Sequence, residues 1–331
     1  MSAPVDNFQP PATEVAPRAP RPTKLRIPAI VLIVLGLAIC GGGIAKIISG
    51  GIGTGAAVAF LGIVLVALSF VPLPVIEATE APLSPLQRLT GIFFEPTRVF
   101  RNLRIYPRWV APYIAIVILS AIYTFAFTQR VTPERIVNHT VDKLAEMGPP
   151  FAPPASAIET MRATQLEEAR NPVNRAGNVL KAFAGVFVFS AILAALYLLG
   201  SLAFGGRINF WQAFCVVLYG SLPIIVVQKL LGLVLLYLKA PEDIHPILGQ
   251  ETLVQDNLGI LVSPANHPVI FVLAASIGIL SFYGLWLKAT GLKNTGTRVS
   301  SGVAWGVAIT FWILGLLLIT GVTALFPTFI S

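Results

Sequence analysis

The run GVAWGVAITFWILGLLLITGVTALF, Gly302 to Phe326, carries no charged residue. At a helical rise of about 1.5 Å per residue it is long enough to cross a hydrocarbon core about 30 Å thick. In that core every backbone polar group must be paired within the segment, so the run reads as a transmembrane α-helix. Six further apolar stretches precede it, at about 27–48, 55–76, 110–128, 179–203, 211–238 and 268–287. The fold class that follows is all-α integral membrane, a helical bundle of about seven transmembrane helices.

Composition agrees. Of the 331 residues 55% are hydrophobic and 11% charged, with mean hydropathy +0.79. A soluble domain carries about 25% charged residues, enough to cover its surface with water-binding groups. The formal net charge of +8 would suggest a nucleic-acid partner in a soluble protein; here its distribution follows membrane topology, and no nucleic acid is implied. Cys40 and Cys215 both lie in apolar runs, where a free thiol behaves as a small hydrophobe, so neither a disulfide framework nor a zinc spacing is present.

Ser49-Gly50-Gly51-Ile52-Gly53-Thr54 is too short and polar to be anything but a reversal between the first two stretches, which form a hairpin. Taking the connections alternately, thirteen of the 23 Lys and Arg residues fall on one side of the membrane in short segments. Seven fall on the other, spread through longer loops that also hold ten acidic residues. The positive-inside rule then places the N-terminus in the cytoplasm and the C-terminus outside. Four regions result: a disordered, uncleaved Pro-rich cytoplasmic tail (1–26), the transmembrane hairpin (27–76), a cytoplasmic segment (77–109), and a five-span core (110–331) that includes an outer loop (129–178).

That outer loop has its own helix signals. Thr132-Pro133-Glu134 opens one, with Ile136, Val137, Thr140, Leu144 and Met147 at helical spacing. Beyond the breakers Gly148-Pro149-Pro150 and Pro153-Pro154, Ser156-x-x-Glu159 reads as a capping box for a second helix that Asn171-Pro172 ends near Arg170. Asn138-His139-Thr140 also fits a glycosylation acceptor.

The cytoplasmic segment contains Gly91-Ile-Phe-Phe-Glu-Pro-Thr-Arg-Val-Phe-Arg-Asn-Leu-Arg-Ile-Tyr-Pro-Arg-Trp109, with Pro96 suited to a helix start and Pro107 to its end. On a helical wheel Arg98, Arg101, Arg104 and, if the turn persists through Pro107, Arg108 share one sector; Val99, Phe100, Leu103 and Tyr106 occupy the opposite one, with Ile105 the exception. A basic face against an apolar face is what a helix lying in anionic headgroups requires: burial holds it down and the arginines meet the lipid charge. Arg98, Arg101, Arg104, Arg108, Phe100 and Trp109 are therefore the candidates for binding lipid or a partner. The alternatives are a helix packed under the bundle and a docking surface for a cytoplasmic protein.

Inside the fifth stretch lies Lys229, beside Gln228, and ionisable groups at such depth often mark a substrate path. No Asp or Glu lies in any span to pair with it. Its long stem can instead snorkel, or Tyr219-x-x-x-Pro223 can break the helix and bring it toward the interface. Tyr219, Pro223 and Lys229 form the intramembrane candidate set. The histidines His139, His245 and His267 all fall in outer loops without metal-ligand spacing. Gly51-Ile-Gly53-Thr-Gly55 lacks the strand and βαβ unit of a nucleotide loop. No nucleophile, Walker loop or carboxylate pair supports an enzyme, and no cofactor is expected.

Leu86-x-Arg88-Leu-x-Gly91-Ile-Phe-Phe-Glu-Pro-Thr-x-Val-Phe-Arg101 and Pro107-Arg-Trp-Val-Ala-Pro112 resemble the entry of the Yip domain in its bacterial form. The likeness continues through Phe210-Trp-Gln-Ala-Phe214, Tyr219-x-x-x-Pro223, Ser281-Phe-Tyr-Gly-Leu-Trp286 and Gly291-Leu292, covering about 86–326. The resemblance implies a five-span core with a cytoplasmic entry, a role in membrane organisation or partner recruitment rather than catalysis, and association with other membrane proteins as homo- or hetero-oligomers. It implies the cell membrane for a bacterial member and Golgi or ER membrane otherwise. Eukaryotic relatives associate with Rab-type GTPases, but their cytoplasmic Asp-Leu-x-Gly-Pro motif is not present here and an extra hairpin precedes the core, so that partner is not carried over. A small-solute permease or channel using Lys229 and a break at Pro223 is the other functional class.

Overall fold

The computed structural model describes residues 20–76, 80–146 and 153–327, which contain helices and no strands. Six helices are long and apolar enough to cross a membrane. The tail up to residue 19 and the Gly148-Pro149-Pro150 breaker lie outside the described residues.

The hairpin is α1 (Arg26–Ile44) and α2 (Gly51–Leu68). Its reversal comes earlier than expected, at 45–50, where Lys46 and Gly50 take left-handed φ of 58° and 66°. Gly51, Gly53 and Gly55 consequently lie in the first turns of α2. The glycine spacing serves packing: a Cβ at Gly36 would lie 2.4 Å from the Ala59 amide nitrogen, and one at Gly55 2.4 Å from the Gly36 carbonyl oxygen. With no hydrophobic drive between helices in lipid, such close backbone approach is what holds a hairpin together. Ala29, Leu61 and Leu65 join the same buried core as the later spans.

Two short helices follow, α3 (Pro85–Phe94) and α4 (Pro96–Ile105), and then the long α5 (Val110–Val131). Beyond it α6 (Pro133–Ala145) and α7 (Ala155–Arg170) form a cap at the end of the bundle away from α3 and α4. Helix α7 starts one residue before Ser156, directly after Pro154, with no side-chain cap, so the expected capping box does not form and Ser156 lies inside the helix. Arg162 joins the pair by bonding Asn138 and Asp142, as does Arg170 by bonding Glu134 at 2.8 Å. Asn171 both ends α7 and caps α8 (Pro172–Ala203), its Oδ1 accepting from the Val173 amide. That cap starts α8 seven residues earlier than hydropathy suggests, since hydropathy sees only its membrane-embedded part.

Helix α9 (Phe210–Leu238) is the central post, with Phe210 through Gly220 buried without interruption. It runs on through Pro223, so the expected break there is absent. The interruption is instead in the sixth stretch. After the four-residue α10 (Gly249–Thr252), residues 268–287 divide into α11 (Pro268–Ala275) and the start of α12 (Ile279–Thr295). The freed backbone groups are satisfied from a neighbouring segment: Asp256 Oδ2 accepts from the Leu280 amide at 2.7 Å, and Ile277 C=O accepts from the Leu258 amide at 3.0 Å. Those partners stand about twenty residues away, beyond the reach of any local pattern. Finally α13 (Ser301–Leu325) returns across the bundle, with Gly200 of α8 set against its Phe311 ring.

Gly55→Leu should force the hairpin apart, since no rotamer of a flexible neighbour can relieve a clash with backbone. Thermal unfolding in detergent should show destabilisation of at least roughly 1–3 kcal/mol. Gly41→Leu, where an added Cβ meets nothing within 4 Å, should change it little.

Candidate functional site

The starts of α5 and α9, the end of α2 and the α3–α4 pair share one end of the bundle. Helix α3 was not anticipated from hydropathy, although Ser84-Pro85-Leu86-Gln87 signals it. Ser84 Oγ accepts from the Gln87 amide and Gln87 Oε1 accepts from the Ser84 amide, a complete capping box with Pro85 at the first helical position.

Helix α4 does not lay its apolar face in lipid. Val99, Phe100 and Leu103 are at most 1% exposed, and the Phe100 ring lies over Gly291 of α12, where a Cβ would come within 3.0 Å of it. Polar clamps surround this contact. Buried Asn102 accepts from the Leu83 amide and donates to the Ala81 carbonyl. Gln212 Nε2 donates to the Arg104 carbonyl at 2.8 Å, and the Tyr219 hydroxyl donates to the Arg108 carbonyl at 3.2 Å. Each such bond contributes about 1 kcal/mol, and a buried group left unpaired would cost more, so α4 has no cheap route off the bundle. The wheel identified the two faces; whether the apolar one met lipid or protein depended on the side chains of α9 and α12.

The arginines diverge in placement. Arg98, Arg101 and Arg108 are exposed, with Arg98 in an ion pair to Glu95 at 2.9 Å. Arg104 is half-buried, its Nε enclosed with no hydrogen-bond partner among the described residues. Trp109 turns inward, stacked on Trp211 at 6.4 Å and edge-on to Phe187 and Phe214 at 5.4 Å. Arg88 of α3 is 1% exposed, and its Nε and Nη1 are also unpartnered among the described residues. Burial lowers its pKa below the usual guanidinium value.

The intramembrane set does not come together. Tyr219 is spent on the α4–α5 junction at this end, while Lys229 leans the other way. Lys229 Nζ stands 4.5 Å from the Tyr123 ring centroid and 3.5 Å from Glu251 of α10. A carboxylate partner therefore exists, supplied by the connection after α9 rather than by a span. Lys288 lies within α12, and a Cβ at Gly220 would lie 3.2 Å from its Cγ.

At the opposite end of the bundle His139 of α6 meets His245 edge-on, ring centroids 4.7 Å apart. His245 Nδ1 accepts from the Ile247 and Leu248 amides, so that nitrogen is not free for a metal. No cluster of three or more metal-ligating side chains occurs among the described residues. Burial lowers the pKa of both histidines; nearby cations add to it, and His139 adds to it for His245. The unfolded chain, with His pKa about 6.5, takes up protons first as pH falls. Stability supplied by the neutral pair is thus complete above that value and declines as pH drops through it. Thermal midpoints should fall between pH 7.5 and 5, and His139→Gln with His245→Gln should flatten that slope; an unchanged slope would exclude the pair as its source.

Comparison with curated proteins and with solved structures returns no match. The model of the Yip1 domain matches residues 90–322, which takes in the clamped helix α4, the central post and the divided α11–α12. The chain therefore belongs to the Yip1 domain family and is a multi-pass membrane protein.

Proposed function

We propose that this protein is a non-enzymatic membrane-organising protein whose basic end faces the cytoplasm and gathers anionic lipid. The observation that supports this most directly is the clamping of α4. With its apolar face fixed on α9 and α12, Arg98 and Arg101 are held outward in constant orientation instead of rolling with a floating helix. Fixed cations near a membrane surface attract acidic headgroups by about 1 kcal/mol each. In this reading the surrounding lipid is the partner and no bond is made or broken.

The permease reading has one observation in its favour, the divided α11–α12 helix, since transporters place substrates at helix breaks. Against it, α9 is continuous through Pro223 and Lys229 is tied to the connection after α9 by Glu251. Protein-dependent flux of a small solute through proteoliposomes, lost in Lys229→Ala, would establish that reading; we expect no such flux.

For lipid gathering, the chain should be reconstituted in phosphatidylcholine with trace acceptor-labelled phosphatidylserine or phosphatidylcholine. Energy transfer from the tryptophans should be higher to the phosphatidylserine probe, and Arg98→Glu with Arg101→Glu should remove most of the difference. Equal transfer to both probes in the wild type would refute the proposal.

A further inference from the structure

A cavity of about 680 Å³ opens at the basic end, bounded by residues 21–25 just before α1, the segment after α2, the first turn of α3, the α4–α5 junction and the start of α9. Four cations line it, Arg21, Lys24, Arg88 and Arg108, with the indoles of Trp109 and Trp211 on its walls and no carboxylate among its lining residues. None of the four forms an ion pair among the described residues.

Arg88 is the telling member. It is 1% exposed, its Nε and Nη1 bond nothing, and the cation beside it is Arg108. An enclosed guanidinium without a counter-ion is unfavourable, and a second guanidinium at its side makes it worse. Its other polar companions, the Tyr219 hydroxyl and the Cys215 thiol, are neutral groups. What the cavity lacks is an anion.

A planar guanidinium with two free N–H donors matches the oxygens of a phosphate group, which accept in pairs. Apart from Thr23 the remaining walls, among them Leu25, Leu73, Pro107, Val110 and Ala111, are apolar and lie where α1 and α5 enter the bundle. Tryptophans at such a level are characteristic of the headgroup boundary.

We propose that this cavity binds a phosphate-type oxyanion between Arg88 and Arg108, supplied by the headgroup of an anionic glycerophospholipid. Arg21 and Lys24 close the site from the α1 side, and the acyl chains leave over the apolar walls into the bilayer. The proposal rests on the reading above only in assigning this end to an anionic leaflet. The surface arginines gather lipid by unspecific charge; this cavity holds one molecule by the phosphate of a headgroup whose net charge is negative.

The test is thermal unfolding of the purified full chain in neutral detergent with added dioctanoyl phosphatidic acid, dioctanoyl phosphatidylcholine or inorganic phosphate. Phosphatidic acid should raise the midpoint in a saturable manner and phosphatidylcholine should not. An equal, saturable rise with inorganic phosphate would keep the anion site but overturn the lipid as its source. Arg88→Met, close in volume and apolar, should fold and lose the rise. Arg108→Gln, at an exposed position, should raise the half-saturating concentration roughly tenfold. Absence of a rise with either phosphate compound, or a rise undiminished in both variants, would overturn the proposal. Arg98→Glu with Arg101→Glu should leave the rise in place even where it abolishes lipid gathering, so the two readings fail separately.

Discussion

A backbone amide or carbonyl left unpaired in hydrocarbon costs several kcal/mol, and this architecture follows from how each interruption of a helix is repaired. The division between α11 and α12 survives because Asp256 and Leu258 reach in to bond Leu280 and Ile277. The start of α9 is closed by Asn209 and Gln212, whose side chains also bond Pro72 and Arg104. Capping and tertiary attachment are thus performed by the same residues. Loosening the α9 start would release the segment after α2 and the α4–α5 junction together.

That economy explains the basic end. Gln212 and Tyr219 lie on α9, within the most buried part of the molecule, and hold the backbone of the neighbouring α4–α5 junction. The arginines of α4 inherit their direction from those bonds and from Phe100 on Gly291. A floating amphipathic helix would adjust its roll to the lipid. A clamped one presents fixed charges, and its neighbour α3 carries Arg88 into the interior with nothing of opposite sign among the residues lining its cavity.

Charges elsewhere in the bundle have different settlements. Lys229 extends along the Tyr123 ring to a carboxylate in the connection after α9, the behaviour of a long stem whose head seeks polar surroundings. His139 and His245 share a partly buried contact under the α6–α7 cap, where neutrality is favoured. Arg88 faces its cavity with no carboxylate among the lining residues, which sets it apart from the rest.

Hydropathy alone determined the class, the helical bundle and the approximate position of each apolar stretch, because spanning a bilayer is a constraint on composition and length. Local spacing was enough for the helices near 133 and 155 and for the two faces of α4. Tertiary structure decided what those patterns face. Whether Phe100 met lipid or Gly291, whether Pro223 or Gly278 marked the interruption, and whether Lys229 had a partner each depended on residues distant in the chain. The apolar character of a side chain is the same toward lipid and toward protein, so periodicity cannot separate the two. Arg88 is the sharpest case: the sequence showed a charge beside a membrane, and only the packing of α3 against α9 made it a buried one.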